Sequence, residues 1–190
     1  MQDTVVRPTI QDLAGTWTID AGHSMVEFTA KHMMISTVRG RFEDVEGTFT
    51  ISPDLSRSSA RVSIKAGSIS TSNADRDAHL RSPDFLEVEA YPELTFETSG
   101  VELVSAEDGT FRLRGNLTVR GVSAPITLDG RLEGFVPSDL WGKRRVSFSA
   151  STSINRKDFG LTWNRALETG GVLVSDRVGI ELQVSAVKAE

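Results

Sequence analysis

From Val26 to Met34 the chain alternates: Val26, Phe28, Ala30, His32 and Met34 fall on one face, and Glu27, Thr29, Lys31 and Met33 on the other. A period of two marks a strand with one buried face. Asp20-Ala21-Gly22 forms a turn before it. Gly40 interrupts the pattern, which predicts a bend or turn there and a second strand from Phe42 to Ile51, closed by Ser52-Pro53-Asp54. Ala60, Val62, Ile64 and Ala66 alternate with Arg61, Ser63 and Lys65 as a third strand.

Thr71 to Pro92 breaks the β pattern. Ser72 or Asn73 is placed to cap a helix with Asp75 and Asp77 in its first turns and Arg81 near its end, the order the helix dipole favours. Ser82-Pro83-Asp84 repeats this grammar and predicts a second helical start carrying Phe85 and Leu86. Alternation then returns through Leu94 and Phe96, through Phe111 to Val119, and through Ile126 to Leu132, with hairpin connections at Glu107-Asp108-Gly109 and Arg120-Gly121-Val122. Val146, Phe148, Ala150, Thr152 and Ile154 oppose a hydroxyl row of Ser147, Ser149, Ser151 and Ser153. Asn155 to Ser175 is irregular, and Val178 to Ala186 supplies the last strand.

About eight sequential strands, each with one apolar face, either stack as a sandwich or close as a barrel. Short hairpins between neighbours and the removal of exposed edges favour an all-β, eight-stranded antiparallel up-and-down barrel with a short helical insertion. At 190 residues, 38% hydrophobic and 25% charged, it is expected to be one domain over 15–190 preceded by an arm over 1–14. A net charge of -5 without a basic cluster argues against nucleic acid or an anionic membrane surface as the main partner. With no cysteine, neither disulfides nor thiolate chemistry is available. Met1 to Ala14 holds Asp3, Arg7, Pro8 and Asp12 without an apolar run, so a cytoplasmic chain with no stable membrane insertion is expected.

An eight-stranded barrel is either filled by its side chains or holds one small ligand. Ala30, Ala66, Gly115, Gly130, Ala150 and Ala186 put small residues on the apolar face, which leaves space near the axis unless they serve only to relieve curvature. The candidate lining comprises Val26, Phe28, Ala30, His32, Ile64, Phe85, Phe96, Leu113, Leu117, Leu128, Leu132, Phe148, Ala150, Ile154, Trp163, Ile180 and Leu182. Such a lining suits an elongated, mostly apolar ligand, and strands of eight residues span on the order of 20 Å of axis.

The chain resembles the YceI-like family of polyisoprenoid-binding, lipocalin-like proteins. The resemblance rests on Trp17-Thr18-Ile19-Asp20 with His23-Ser24, Phe28, His32 and Val38-Arg39-Gly40-Arg41-Phe42, then Asn73-Ala74-Asp75-Arg76-Asp77 with His79-Leu80 and Ser82-Pro83-Asp84-Phe85. It continues with Tyr91-Pro92, Gly115-Asn116-Leu117-Thr118 to Gly121-Val122, and Asn155 to Leu161 with Trp163-Asn164. It implies a lipocalin-like barrel, a homodimer, and an isoprenoid or other amphiphilic lipid in the pore, with no further cofactor. Many members carry a secretion signal, and this sequence departs from them in showing none.

The histidines argue against a metal site. His23 and His32 are nine residues apart and fall on opposite faces of a regular strand, and His79 sits in the insertion. His23 suits a structural hydrogen bond. His32 shares the apolar face with Phe28 and Ala30 and is either a satisfied core histidine or the polar contact for a ligand head group. Ser24 beside His23 makes no catalytic triad. The loop Asn155 to Asn164 is either a rim that meets the ligand or an internally bonded cover for the barrel end. Three functions follow: a lipid carrier or store, an enzyme acting on such a lipid, or a filled barrel that binds a protein partner. The second would need acid/base groups inside the pore, where only His32 qualifies.

Overall fold

The computed structural model describes residues 8–168 and 170–189. Eleven strands form one sheet that closes on itself. They are β1 (Gly15–Ile19), β2 (Met25–His32), β3 (Ser36–Phe42), β4 (Val45–Ile51), β5 (Ser59–Lys65), β6 (Ile69–Ser70), β7 (Glu93–Ser105), β8 (Thr110–Val119), β9 (Val122–Val136), β10 (Arg145–Asn155) and β11 (Val174–Lys188). β1 and β2 both pair with β11, β3 and β4 lie beside β2 and β1, and β6 and β5 lie beside β3 and β4. Each of these pairs is one strand broken by a short interruption. Counted so, the barrel has eight antiparallel strands in meander order, as the alternation predicts.

The first interruption shows how the chain bends without losing its ladder. The Asp20 carboxylate accepts from the Gly22 amide at 3.2 Å and shapes a 3-10 turn over Ala21–His23. Ser24 then repairs the gap: its hydroxyl donates to the Ser185 carbonyl at 3.1 Å and accepts from the Ser185 amide at 3.0 Å. Its role is structural.

Several local expectations are corrected. The strand ends at His32, and the chain turns over Met33 and Met34, both with positive φ, closed by the Ile35 amide donating to the His32 carbonyl. Gly40 lies inside β3, opposite Phe28, and not at a turn. Asn73 caps helix α2 (Ala74–Arg81) through the Arg76 amide, but Ser82 to Leu86 forms turns and no second helix. A capped helical turn that the alternation gave no sign of, α1 (Ile10–Leu13), joins Thr9 and Asp12 in mutual hydrogen bonds.

Two packed clusters divide the interior. Around the end where α1 docks, Leu13, Trp17, Val146 and Ala186 are buried among Phe49, Ile51, Leu132, Phe135 and Phe148. The Trp17 indole donates to the Leu13 carbonyl at 2.8 Å, which satisfies the one polar atom of a fully buried ring. This end is closed. The larger cluster runs from Val26, Ile64 and Phe96 to Leu86 and Phe159, under the segment that contains α2.

Candidate functional site

Register places the inward residues of four long strands in rows: Ala150, Leu182, Val26 and Phe42 in one, Thr152, Ile180, Phe28 and Gly40 in the next, and Ile154, Val178, Ala30 and Val38 beyond. None of these three rows carries a formal charge; the same parity turns Lys188 inward over the Trp17 ring at the closed end, and among the described residues His32 is the one imidazole on that face.

The candidate lining separates into three groups. Val26, Ile64, Phe96, Leu117 and Leu128 are buried in the packed wall. Phe28, Leu113, Ala150, Ile154, Ile180 and Leu182 pack against that wall yet remain only partly buried, as do Ala30 and His32. Parity turns these side chains toward the axis, and Ala150 and Leu182 also reach the outer trough. Leu132 and Phe148 belong to the closed end, and Phe85 and Trp163 lie in an aromatic cluster at the opposite one. Thr152, Val62 and Ile126 share the partly buried inward face and belong with the lumen residues, by the same alternation that singled out Ala150.

The small residues divide too. The ring of Phe96 covers Gly115 and that of Phe111 covers Gly130, where an added β-carbon would come within 2.4 and 2.3 Å of a ring atom. Ala66 and Ala186 are fully packed. Four of the six small positions expected to open the pore are therefore filled, and Ala30 and Ala150 are the two that stay partly exposed.

The imidazole of His32 has no hydrogen-bond partner among the described residues, although the residue is half-buried between Ser36 and Val174 on the neighbouring strands. His23 is exposed and bonds through Nδ1 to Asp20 at 2.9 Å. His79 sits edge-on to Phe85 and Trp163, at 5.1 and 4.6 Å, with Nε2 2.8 Å from Asp84. Among the described residues no three His, Asp or Glu side chains gather as a metal would require.

The Asn155 to Asn164 loop is internally bonded. Asn155 caps a 3-10 turn over Arg156–Phe159, whose Phe159 is buried. The guanidinium of Arg156, also buried, donates to the carbonyls of Ser175, Leu161 and Trp163 at 3.0, 2.7 and 2.8 Å. Burial lowers its affinity for the proton and Asp176 restores part of it. Asn164 clamps the far side through the Val174 amide and carbonyl. Sequence reasoning missed Arg156, since nothing in its neighbours marks a guanidinium whose partners are loop carbonyls.

At the closed end Arg145 donates to Asp20 at 2.6 Å and to Asp139 at 2.7 Å. It holds both carboxyls below their ordinary range, aided at Asp139 by the Lys143 and Trp141 amides. Lys143-Arg144-Arg145 is a short basic run that the net charge conceals, and these two acids neutralise its last member.

On the outside, Ser149 and Ser151 of the row expected to be a polar face line a trough of about 570 Å³, with Arg112, Asp129 and Arg131 on one side, Glu27, Glu181 and Gln183 on the other, and Ala150 and Leu182 also reaching it. Charged side chains outside and apolar ones inside are the reverse of a membrane-spanning barrel. No helix among the described residues is long and apolar enough to cross a membrane.

The YceI-like domain family matches residues 17–186. The chain belongs to the YceI-like family. A UPF0312 protein of Pseudomonas aeruginosa (strain LESB58) is 38% identical over 154 residues, covering 80% of this chain and 78% of that one. The Campylobacter jejuni YceI protein superposes with a TM-score of 0.71 at 31% identity, over 84% of this chain and 90% of that one. A polyisoprenoid binding domain from Saccharophagus degradans, implicated in plant cell wall breakdown, shares the YceI fold with a TM-score of 0.64 at 16% identity, over 91% and 98%.

Proposed function

We propose that the barrel binds one isoprenoid or comparable amphiphilic lipid along its axis, its chain against Phe28, Ala30, Ala150, Ile180 and Leu182 and its polar head toward His32. The observation that carries this reading is the partial exposure of these inward apolar side chains, flanked by fully packed ones. Apolar surface left open inside a barrel is stabilised by an apolar occupant at roughly 25 cal/mol per Å². From Val26 to His32 the strand runs about 20 Å, so a short isoprenoid fits within and a long one must fold or protrude. The unpartnered imidazole supplies one hydrogen bond, enough to orient a hydroxyl, carbonyl or phosphate. The polyisoprenoid-binding neighbour supports the same ligand class. A lone histidine without an acid or second base beside it favours binding over catalysis. Carriage, storage and sequestration all follow from such a site.

The protein is further proposed to be a homodimer. The outer trough carries both charge signs around small serines, which lets its basic and acidic sides pair with those of a second copy across a two-fold axis. Mass spectrometry of an organic extract of the purified protein tests the binding reading. The expected result is one class of prenyl lipid near one per barrel, and a lipid-free protein that also takes up no added isoprenoid contradicts it.

A further inference from the structure

The turn between β2 and β3 breaks two local rules at once. Met33 and Met34 occupy its central positions with φ of 50° and 62°, a mirror-image turn that ordinarily takes Asn-Gly. Left-handed backbone is disfavoured for an L-residue with a β-carbon. Neither methionine recovers this by packing: Met33, Met34 and Ile35 are 38, 57 and 80% exposed. The conformation is held from outside, by the Met33 amide donating to the Leu173 carbonyl at 2.7 Å. Strain kept in place to show three large apolar side chains to water points to a surface that meets something apolar.

Its place in the barrel says what that is. β2 and β3 bring Ala30, His32 and Val38 from the lumen to this tip. β6 pairs only with Arg41 and Phe42, so Ser36 to Arg39 have no strand on their far side among the described residues. The wall is therefore interrupted where the tip projects. Val172, also exposed, lies one residue from the Leu173 carbonyl that holds the turn. Lys31 and Arg39 flank the tip on the outward face, and Arg165 stands beyond Leu173. Against them, Glu168 is the carboxylate of the adjoining loop, while Asp176 is paired with Arg156 and Lys157. The net charge of -5 argues against a broad anionic-membrane surface, but this apolar tip with a local cationic margin is complementary to an anionic bilayer.

We propose that the Met33-Met34-Ile35 turn enters the interface of an anionic phospholipid bilayer and sets the lumen against the membrane from which its lipid is exchanged. The inference rests on the lipid-binding reading for its purpose, but not for its test. The full chain is floated with vesicles of equal parts phosphatidylcholine and phosphatidylglycerol, and uptake of detergent-dispersed farnesol is measured separately. The variant Met33→Asn/Met34→Gly/Ile35→Ser rebuilds the turn with residues that favour it, so its melting temperature should equal or exceed that of the parent. Its vesicle partitioning should fall on the order of tenfold or more, with farnesol uptake unchanged. Lys31→Gln/Arg39→Gln should weaken partitioning severalfold and reduce its salt dependence.

Vesicle binding by the turn variant equal to that of the parent overturns the proposal. So does a parent that fails to float, including one whose turn variant changes from dimer to monomer, which assigns the tip to self-association. Loss of flotation in Leu140→Ser/Trp141→Ser, which alters the exposed apolar pair at the opposite end, with none in the turn variant also overturns it. Failure of farnesol uptake in both proteins, with flotation as expected, counts against the lumen reading and leaves the tip assigned.

Discussion

The ring of Phe28 lies flat over Gly40 across the β2–β3 ladder, so close that a β-carbon on Gly40 would stand 2.3 Å from the Phe28 Cζ and 2.8 Å from the Thr71 methyl. The ring thus hugs the wall, as Phe96 does over Gly115 and Phe111 over Gly130. Glycine is needed at these positions for close approach, not for backbone freedom.

Gly40→Ala should therefore push Phe28 toward the lumen and strain β3. The expected loss is about 1 to 3 kcal/mol in urea unfolding, the usual cost of overpacking. Gly134→Ala, with nothing within 4 Å of the added carbon, is the control and should change stability little. Equal effects would show that the phenyl contacts do not set the cost.

Arg156→Met should destabilise the barrel by roughly 2 to 4 kcal/mol, because it leaves the Leu161, Trp163 and Ser175 carbonyls without their donor. The same variant should open the 160–173 loop to limited proteolysis. A loop that resists cleavage as the parent does would contradict the assigned role.

Acid stability should depend on the pair around Arg145. Asp20 and Asp139 have folded-state pKa values below their ordinary 3.8, chiefly through hydrogen bonds from Arg145. A lowered carboxyl pKa stabilises the fold in full above the unfolded value, and that contribution is lost as pH falls through the folded one. Chemical denaturation from about pH 6 downward should show the parent losing stability below roughly pH 4, and Asp20→Asn/Asp139→Asn showing a flatter acid limb. Identical limbs would remove both groups from the acid response.

The barrel was legible because Val26, Phe28 and Ala30, like Phe148, Ala150 and Thr152, alternate without interruption, and alternation needs no knowledge of partners. The β2–β3 turn was not. Met33 and Met34 continue the period of two, and a turn with positive φ normally announces itself by Asn or Gly. The packing of the inward face was only half legible: Gly115 and Gly130 look like gaps in a sequence, and only register shows that Phe96 and Phe111 cover them. Arg156 reads as a loop cation, and its burial follows from the path of the 160–173 segment around it.

The central claim, an apolar lumen open at Ala30 and Ala150, is tested most directly by Ala150→Trp and Ala30→Trp, measuring thermal unfolding together with the lipid that co-purifies. An indole placed in open space should leave stability close to that of the parent, whereas overpacking a filled core costs about 1 to 3 kcal/mol. It should also displace lipid, at roughly 0.8 kcal/mol for each methylene that loses its place. Both variants should fold with near-parental melting temperatures and carry markedly less lipid. Strong destabilisation of both, or stable variants that still hold the parental amount, would contradict a lumen at these residues.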